Sequence, residues 1–273
     1  MKLGISTFTY INYPLEKVIK RIANMGYDGI EIMAMRPHAL PSDLNKDSRK
    51  KLRRLINSFN LEPVAICQST HLNLISPLKK ERQEAVKYIK ECVALASDLG
   101  AKIVVTVAGL RIFPQFGITY EKAWKWAKEG LSECVPFAEK ADIILALEPL
   151  SCFWGVNFMY SINETIKLIK EIKSKCLGIT FDIEHRTHER ESLHLYAKKI
   201  GNLLAHVHVR DTIKTHEMII PGKGIINFKS FFKTLKRMDF KGYLIVEFWN
   251  LSNPDKYAIE SKIFLKKILR SIS

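Results

Sequence analysis

The sequence predicts a (β/α)₈ barrel. Three observations carry this: eight β-rich runs alternate with amphipathic helical stretches from end to end, several runs are apolar without alternation, and four consecutive later runs each close on an ionisable side chain. In chain order the strand candidates are Lys2–Thr7, Gly29–Met33, Pro63–Cys67, Lys102–Val107, Ile143–Glu148, Leu177–Asp182, Leu203–Val209 and Gly242–Phe248. Ile143-Ile144-Leu145-Ala146-Leu147 is unbroken apolar, as expected of a parallel strand buried on both faces.

Between the strands, Leu15, Val18, Ile19 and Ile22, then Ile166, Ile169 and Ile172, recur at helical spacing and predict crossover helices. Gly26, Gly100 and Gly201 stand just past three such stretches, where a left-handed C-cap is expected, and Gly242 opens the last strand. Ser161 and Asn163 are N-cap candidates. No repeat beyond the β/α beat, no low-complexity tract and no Pro/Gly-rich linker interrupts the chain, so residues 1–273 are expected to form one domain. Barrels of this kind reach about 250 residues around one core. An open doubly wound sheet could use the same eight units. Only closure, however, brings the ends of many strands to one rim, and the first turn, Thr7-Phe8-Thr9-Tyr10, lacks the Gly-x-Gly-x-x-Gly of dinucleotide folds.

With 47% hydrophobic and 26% charged residues the composition is that of a globular protein and excludes a disordered one. The net charge of +15 would suit a polyanion, but lysines such as Lys167, Lys170 and Lys173 lie on periodic helical segments and read as solvated outer faces. No nucleic-acid partner is expected. Five cysteines without a C-x-x-C pair form neither a disulfide framework nor a zinc knuckle and fit a reducing cytoplasm. No apolar run approaches the roughly 18 residues of a membrane span, and the N-terminus lacks the ordered regions of a signal peptide. The expectation is a soluble, unprocessed cytoplasmic protein with no membrane partner.

The ends of the later strands carry the chemistry: Glu148 in Ala146-Leu147-Glu148-Pro149, Asp182 in Thr180-Phe181-Asp182, His208 in His206-Val207-His208, and Glu247 in Val246-Glu247-Phe248. One such carboxylate often caps a helix or pairs with a lysine. Three on one rim repel unless something positive receives them, and a divalent cation resolves the conflict. Three carboxylates with one imidazole suit Mn²⁺ first, with Mg²⁺, Co²⁺ or Zn²⁺ as alternatives. His206 and His208 share a strand face, and His208, nearer the rim, is the better ligand. His185, three residues past Asp182 at the start of the following loop, is placed to reach substrate rather than metal. His38, His71, His188, His194 and His216 read as surface or loop histidines.

Further motifs are Leu147-Glu148-Pro149, Asp182-x-x-His185, His206-Val207-His208-x-x-Asp211, Pro221-Gly222-Lys223-Gly224 with Asn227-Phe228, and Gly242-Tyr243 leading to Val246-Glu247. Together they resemble the xylose isomerase-like TIM barrels, in particular the sugar phosphate isomerase/epimerase group with its ketose 3-epimerases, hydroxypyruvate isomerases and inosose dehydratases. The resemblance covers nearly the whole chain. It implies one divalent ion on Glu148, Asp182, His208 and Glu247, and an isomerase acting on a small sugar or sugar-like substrate. Glu148 and Glu247 would move a proton at the carbon beside the carbonyl through a metal-stabilised enediolate. It further implies a substrate contact at His185 and a homodimer or homotetramer.

Lys214, six residues past His208, falls where epimerases of the group often carry an arginine, and by that resemblance it is a further substrate contact; Trp154 falls where they can place a glutamate, and both are departures. Phe8, Trp154, Phe248 and Trp249 could wall a sugar pocket, with Phe8 and Trp249 the preferred substrate contacts. Gly222-Lys223-Gly224 either binds a phosphate or shapes the loop before Asn227 caps the next helix. A three-zinc apurinic/apyrimidinic endonuclease of the endonuclease IV type shares the barrel, but the third and fourth strands end in Cys67-Gln68 and Val107-Ala108 instead of histidines, and no Asp-x-His follows His208. A non-catalytic sugar- or metal-binding barrel is the remaining alternative.

Overall fold

In a computed structural model, which describes every residue except 71, 72, 190, 250 and 273, eight parallel strands close on themselves. They are β1 (Lys2–Ser6), β2 (Gly29–Met33), β3 (Glu62–Cys67), β4 (Ile103–Thr106), β5 (Ile144–Leu147), β6 (Leu177–Asp182), β7 (Leu204–Val209) and β10 (Tyr243–Val246), with β10 pairing to β1. Closure thus settles the choice between barrel and open sheet. Two short strands, β8 (Asp211–Thr212) and β9 (Met218–Ile219), make a separate antiparallel hairpin after β7.

The helices are α1 (Leu15–Asn24), α2 (Lys46–Ser58), α3 (Lys79–Leu99), α4 (Tyr120–Ala141), α5 (Ile162–Ile172), α6 (Ile183–Thr187), α7 (Leu193–Ile200), α8 (Phe228–Arg237) and α9 (Pro254–Arg270). A large apolar cluster joins strands to helices, including Val18, Ile19 and Ile22 of α1. A smaller one, with Val64, Ala65, Val105, Tyr243 and Ile245, fills the barrel interior. Its lower end leaves no room for a side chain at Gly29, where a Cβ would come within 2.5 Å of Val64 and 2.6 Å of Tyr243.

The capping signals translate unevenly. Gly100 ends α3 in the left-handed region at φ 89°, as expected. Gly201 has φ 54° with ψ −130°, a mirror-image extended conformation that suits glycine for a different reason. Ser161 alone caps α5, in a reciprocal capping box with Glu164, while Asn163 lies inside the helix. The one-turn α6 is additional to the eight helices expected. It exists because Asp182, closing β6, accepts hydrogen bonds from the Glu184 and His185 amides at 2.8 and 3.3 Å.

Candidate metal centre

The four strand-end residues meet. One donor atom each from Glu148, Asp182, His208 and Glu247 lies within 4.8 Å of the others. Pro149 has no N–H to continue a ladder, so Glu148 is the last residue to join it, its amide donating to the Thr106 carbonyl at 2.9 Å. Glu247 is held likewise, its amide 3.4 Å from the Val209 carbonyl. Asp182 spends Oδ1 on the α6 cap, which leaves Oδ2 for the centre.

His208 is wholly buried between carboxylates: Nδ1 is 3.0 Å from Glu148 Oε1 and 3.5 Å from Glu247 Oε2, and Nε2 is 3.1 Å from Glu31 Oε2. Glu31 also receives His206 Nε2 at 2.7 Å, one layer deeper in the barrel. An imidazole whose far nitrogen donates to a buried carboxylate is oriented, and made more basic, for metal binding through the near one. Burial opposes charge on His208, but Glu247, Glu31 and Glu148 together raise its pKa well above the ordinary histidine value.

The carboxylates diverge according to their neighbours. Burial, followed by the nearby Glu148 and Glu31, pushes Glu247 up to about 8 against the pull of His208 and Arg210. Burial acts against charge on Asp182 too, yet Arg210 and His185 outweigh it and bring the group down to about 2. Asp182 Oδ2 and Glu31 Oε1 are buried without a hydrogen-bond partner. Arg210 Nη1 is 2.7 Å from that Asp182 oxygen, but the contact is one of charge, not an aligned hydrogen bond. A converging oxygen-rich donor set, acids crowded enough to hold a proton and an orphaned ligand oxygen all fit a divalent cation.

Above the centre lies a cavity of about 420 Å³, lined on one side by Glu148, His185, Arg210 and Glu247 and elsewhere by residues such as Met33 and Val105. A larger cleft, about 650 Å³, runs outside the barrel beside Pro14, Lys51 and Leu55 and gathers no comparable ligands.

Phe8 and Trp249 line the inner cavity with ring centroids 6.0 Å apart, and Trp154 joins them 5.6 Å from Trp249. Phe248 does not: alternation turns it away to pack on Tyr257, at 5.2 Å. His185 sits in α6 instead of a loop. Its Nε2 is 2.9 Å from Arg210 Nη2, and burial lowers its pKa to about 4, so the ring is neutral. Lys214 is exposed between β8 and β9 and does not line the cavity.

In Gly222-Lys223-Gly224 the two glycine amides turn onto Asp211, while the Lys223 amide donates to the Ile220 carbonyl at 3.0 Å. The Asp211 carboxylate accepts from the amides of Thr212, Gly222, Gly224 and Ile226 at 2.8–3.1 Å, and Lys223 pairs with Glu260. The loop is therefore a structural turn, and Asn227 caps α8. Among the remaining histidines, His38 is buried and donates to the Tyr13 carbonyl, so it is not a surface residue, while His194 is half-buried on α7 and bonds Thr234 and Ser230. The His188 and His216 rings lie 3.7 Å apart, tilted by 37°, beside Glu184. His71 lies outside the described residues.

Glu31, Glu184 and Arg210 were not foreseen. A lone acid inside the apolar run Gly29-Ile30-Glu31-Ile32-Met33 is a signal for the first, and the two-residue period His206, His208, Arg210 for the third. Glu184 gives no such signal; the α6 turn alone brings it to the centre.

The chain is 26% identical over 278 residues to fructoselysine 3-epimerase of Shigella flexneri, covering 98% of this chain and 96% of that enzyme. It is 22% identical over 306 residues to an inosose dehydratase of Bacillus cereus, covering 98% and 97%. The crystal structure of a D-tagatose 3-epimerase-like protein matches with a TM-score of 0.84 and 26% identity, covering 100% of this chain and 98% of that one. Residues 19–268 match the model of one family. The barrel closure, the motifs at its rim and these full-length likenesses agree, and the chain belongs to the xylose isomerase-like TIM barrel family.

Proposed function

We propose that this protein is a divalent-metal-dependent sugar epimerase or isomerase that moves a proton at the carbon beside a carbonyl. The convergence of Glu148, Asp182, His208 and Glu247 beneath the cavity carries the reading. The likeness to fructoselysine 3-epimerase and to a D-tagatose 3-epimerase-like protein supports a small sugar or sugar-like substrate.

The four residues would hold one ion, Mn²⁺ by preference for a mainly oxygen donor set, with Mg²⁺, Co²⁺ or Zn²⁺ as alternatives. The bound ion supplies Lewis acidity that stabilises negative charge developing on substrate oxygens. Glu148 and Glu247 take and return the proton as a base and acid pair. His185, held in its orientation by Arg210, shapes the polar side of the cavity, while Phe8 and Trp249 offer apolar faces to the sugar. Lys214 is left out of this assignment because it stands exposed in the hairpin turn.

A nuclease with three metal ions finds no support at the ends of β3 and β4. These carry Cys67 and Gln68, and Thr106, and burial pushes the Cys67 thiol well up, away from the thiolate a metal would need. All five cysteines are free of disulfides, which supports a cytoplasmic setting, and a dimer or tetramer belongs to the same reading.

Incubating metal-loaded protein with a panel of ketoses in D₂O tests the proposal. Deuterium is expected at the carbon beside the carbonyl of at least one ketose, and Glu247→Gln is expected to abolish it. No incorporation with any ketose under any of the four metals, or a Glu247→Gln variant equal to wild type, overturns it.

A further inference from the structure

The inward-facing series of β7 runs past the centre: His206, His208 and Arg210 are two residues apart and share a face. Arg210 is wholly buried, and a guanidinium keeps its charge there. Its Nη1 lies 2.7 Å from Asp182 Oδ2 and 3.3 Å from Glu247 Oε2, while Nη2 is 2.9 Å from both Glu184 Oε2 and His185 Nε2. Trp249 covers the guanidinium, 4.7 Å from ring centroid to Cζ. Among the described residues Arg210 is the one Lys or Arg lining this cavity. Two of the oxygens it touches belong to the proposed ligand set.

We propose that Arg210 is the second cation of the centre, a positioning residue that shares Asp182 and Glu247 with the metal, tempers the affinity for it, and holds Glu247 in the orientation proton transfer needs. The inference rests on the metal-dependent reading above.

Charge is the first argument. Glu31, Glu148, Asp182, Glu184 and Glu247 crowd one end of the barrel. A single divalent ion leaves that set negative, and without Arg210 the surplus would bind the ion harder and leave Glu247 held by the ion alone, without the contact that aims it at the substrate carbon.

Geometry is the second. The planar fork serves two directions at once, one arm on Asp182 and Glu247, the other on Glu184 and His185. Because a guanidinium can only donate, His185 Nε2 must accept from it. The His185 proton therefore sits on Nδ1, 3.8 Å from Asp182 Oδ2. A lysine would keep the charge and lose the fork.

The test compares Arg210→Met and Arg210→Lys in the full chain. It reads Mn²⁺ affinity by calorimetry, thermal midpoint without added metal, and kcat and KM on whichever ketose the wild type turns over. Arg210→Met is expected to bind Mn²⁺ about tenfold tighter or more, with kcat down about a hundredfold and KM changed little. Arg210→Lys is expected to keep Mn²⁺ affinity within about threefold of wild type, since its charge is retained, and still lose kcat, since the fork is not. Where Met disturbs folding, Arg210→Gln carries the same expectations. Unchanged or weaker Mn²⁺ binding in the neutral variants, or wild-type kcat in Arg210→Lys, overturns the proposal; a fall of affinity and thermal midpoint together would mark Arg210 as packing alone. A wild-type protein that binds none of Mn²⁺, Mg²⁺, Co²⁺ or Zn²⁺ would overturn the metal-dependent reading itself.

Discussion

The ends of β5, β6, β7 and β10 and the ends of β1 to β4 form one rim with two unlike arcs. The first arc presents Glu148, Asp182, His208 and Glu247, backed by Arg210. The second presents Phe8, Met33, Cys67, Gln68 and Thr106. Apolar walls on one side keep water from screening charges on the other, so interactions among the acids are felt strongly. Glu31 of β2 crosses the divide, reaching His206 and His208 from within the quieter arc. Even inside the charged arc, like residues part company: burial opposes charge on both, but Arg210 at 2.7 Å brings Asp182 down to about 2, whereas Glu247, 3.3 Å from Arg210 and beside Glu148 and Glu31, rises to about 8. The contrast teaches that, on the proposed reading, the charged arc is the part suited to take a cation and move a proton, and the apolar arc the part suited to seat a substrate.

The largest effect should come from the charged arc. Glu148→Gln and Glu247→Gln are each expected to lower deuterium exchange about 10³-fold, the range in which general acid–base groups contribute. A change confined to KM would break the division of labour. Next comes pH. Glu247 is raised to about 8, so near neutrality it holds a proton that a metal must displace, and the raised pKa of His208 acts in the same direction. Affinity for Mn²⁺ should therefore weaken as pH falls below about 8, by about tenfold per unit for the Glu247 proton. Calorimetry between pH 6 and 9 reads this directly, and a flat profile contradicts it.

Smaller effects sharpen the boundary between the arcs. Glu31→Gln removes the carboxylate behind His208 and should weaken Mn²⁺ about 10- to 100-fold, although Glu31 is not itself a proposed ligand. Phe8→Ala should raise KM about tenfold, leaving kcat and metal content near wild type. Loss of metal in that variant would merge the two arcs. Lys214→Ala, exposed in the hairpin turn, should stay within about twofold of wild type in both kinetic constants.

Much of this was readable in the chain. Strand ends are local: an apolar run closing on Glu148-Pro149 or on Asp182 states where a side chain leaves the sheet, and the eight-unit beat states that the ends share a rim. The substrate contacts were harder. Phe248 and Trp249 are adjacent yet face opposite ways, and the register of β10 decides which one meets the cavity. Counting from His208 puts Lys214 at the arginine position of the epimerases, but the β8–β9 hairpin leaves it exposed and off the cavity lining. The Pro221–Gly224 loop has the glycine pattern of an anion site, but its Gly222 and Gly224 amides donate to Asp211, more than ten residues earlier in the chain.

By itself the sequence determined the barrel, its strand order and the four residues that converge, because hydrophobic period and chain direction are local properties that closure then forces together. Tertiary structure alone decided the partners: Glu31 beneath His208, Glu184 and His185 beside Arg210, and Arg210 beside Asp182 and Glu247. Those pairings join side chains from β2, β6, β7 and β10 and the α6 turn across the barrel interior. Whether a buried charge there is a ligand, a counter-ion or a liability depends on what lies within a few ångströms, and one-dimensional spacing does not record that distance.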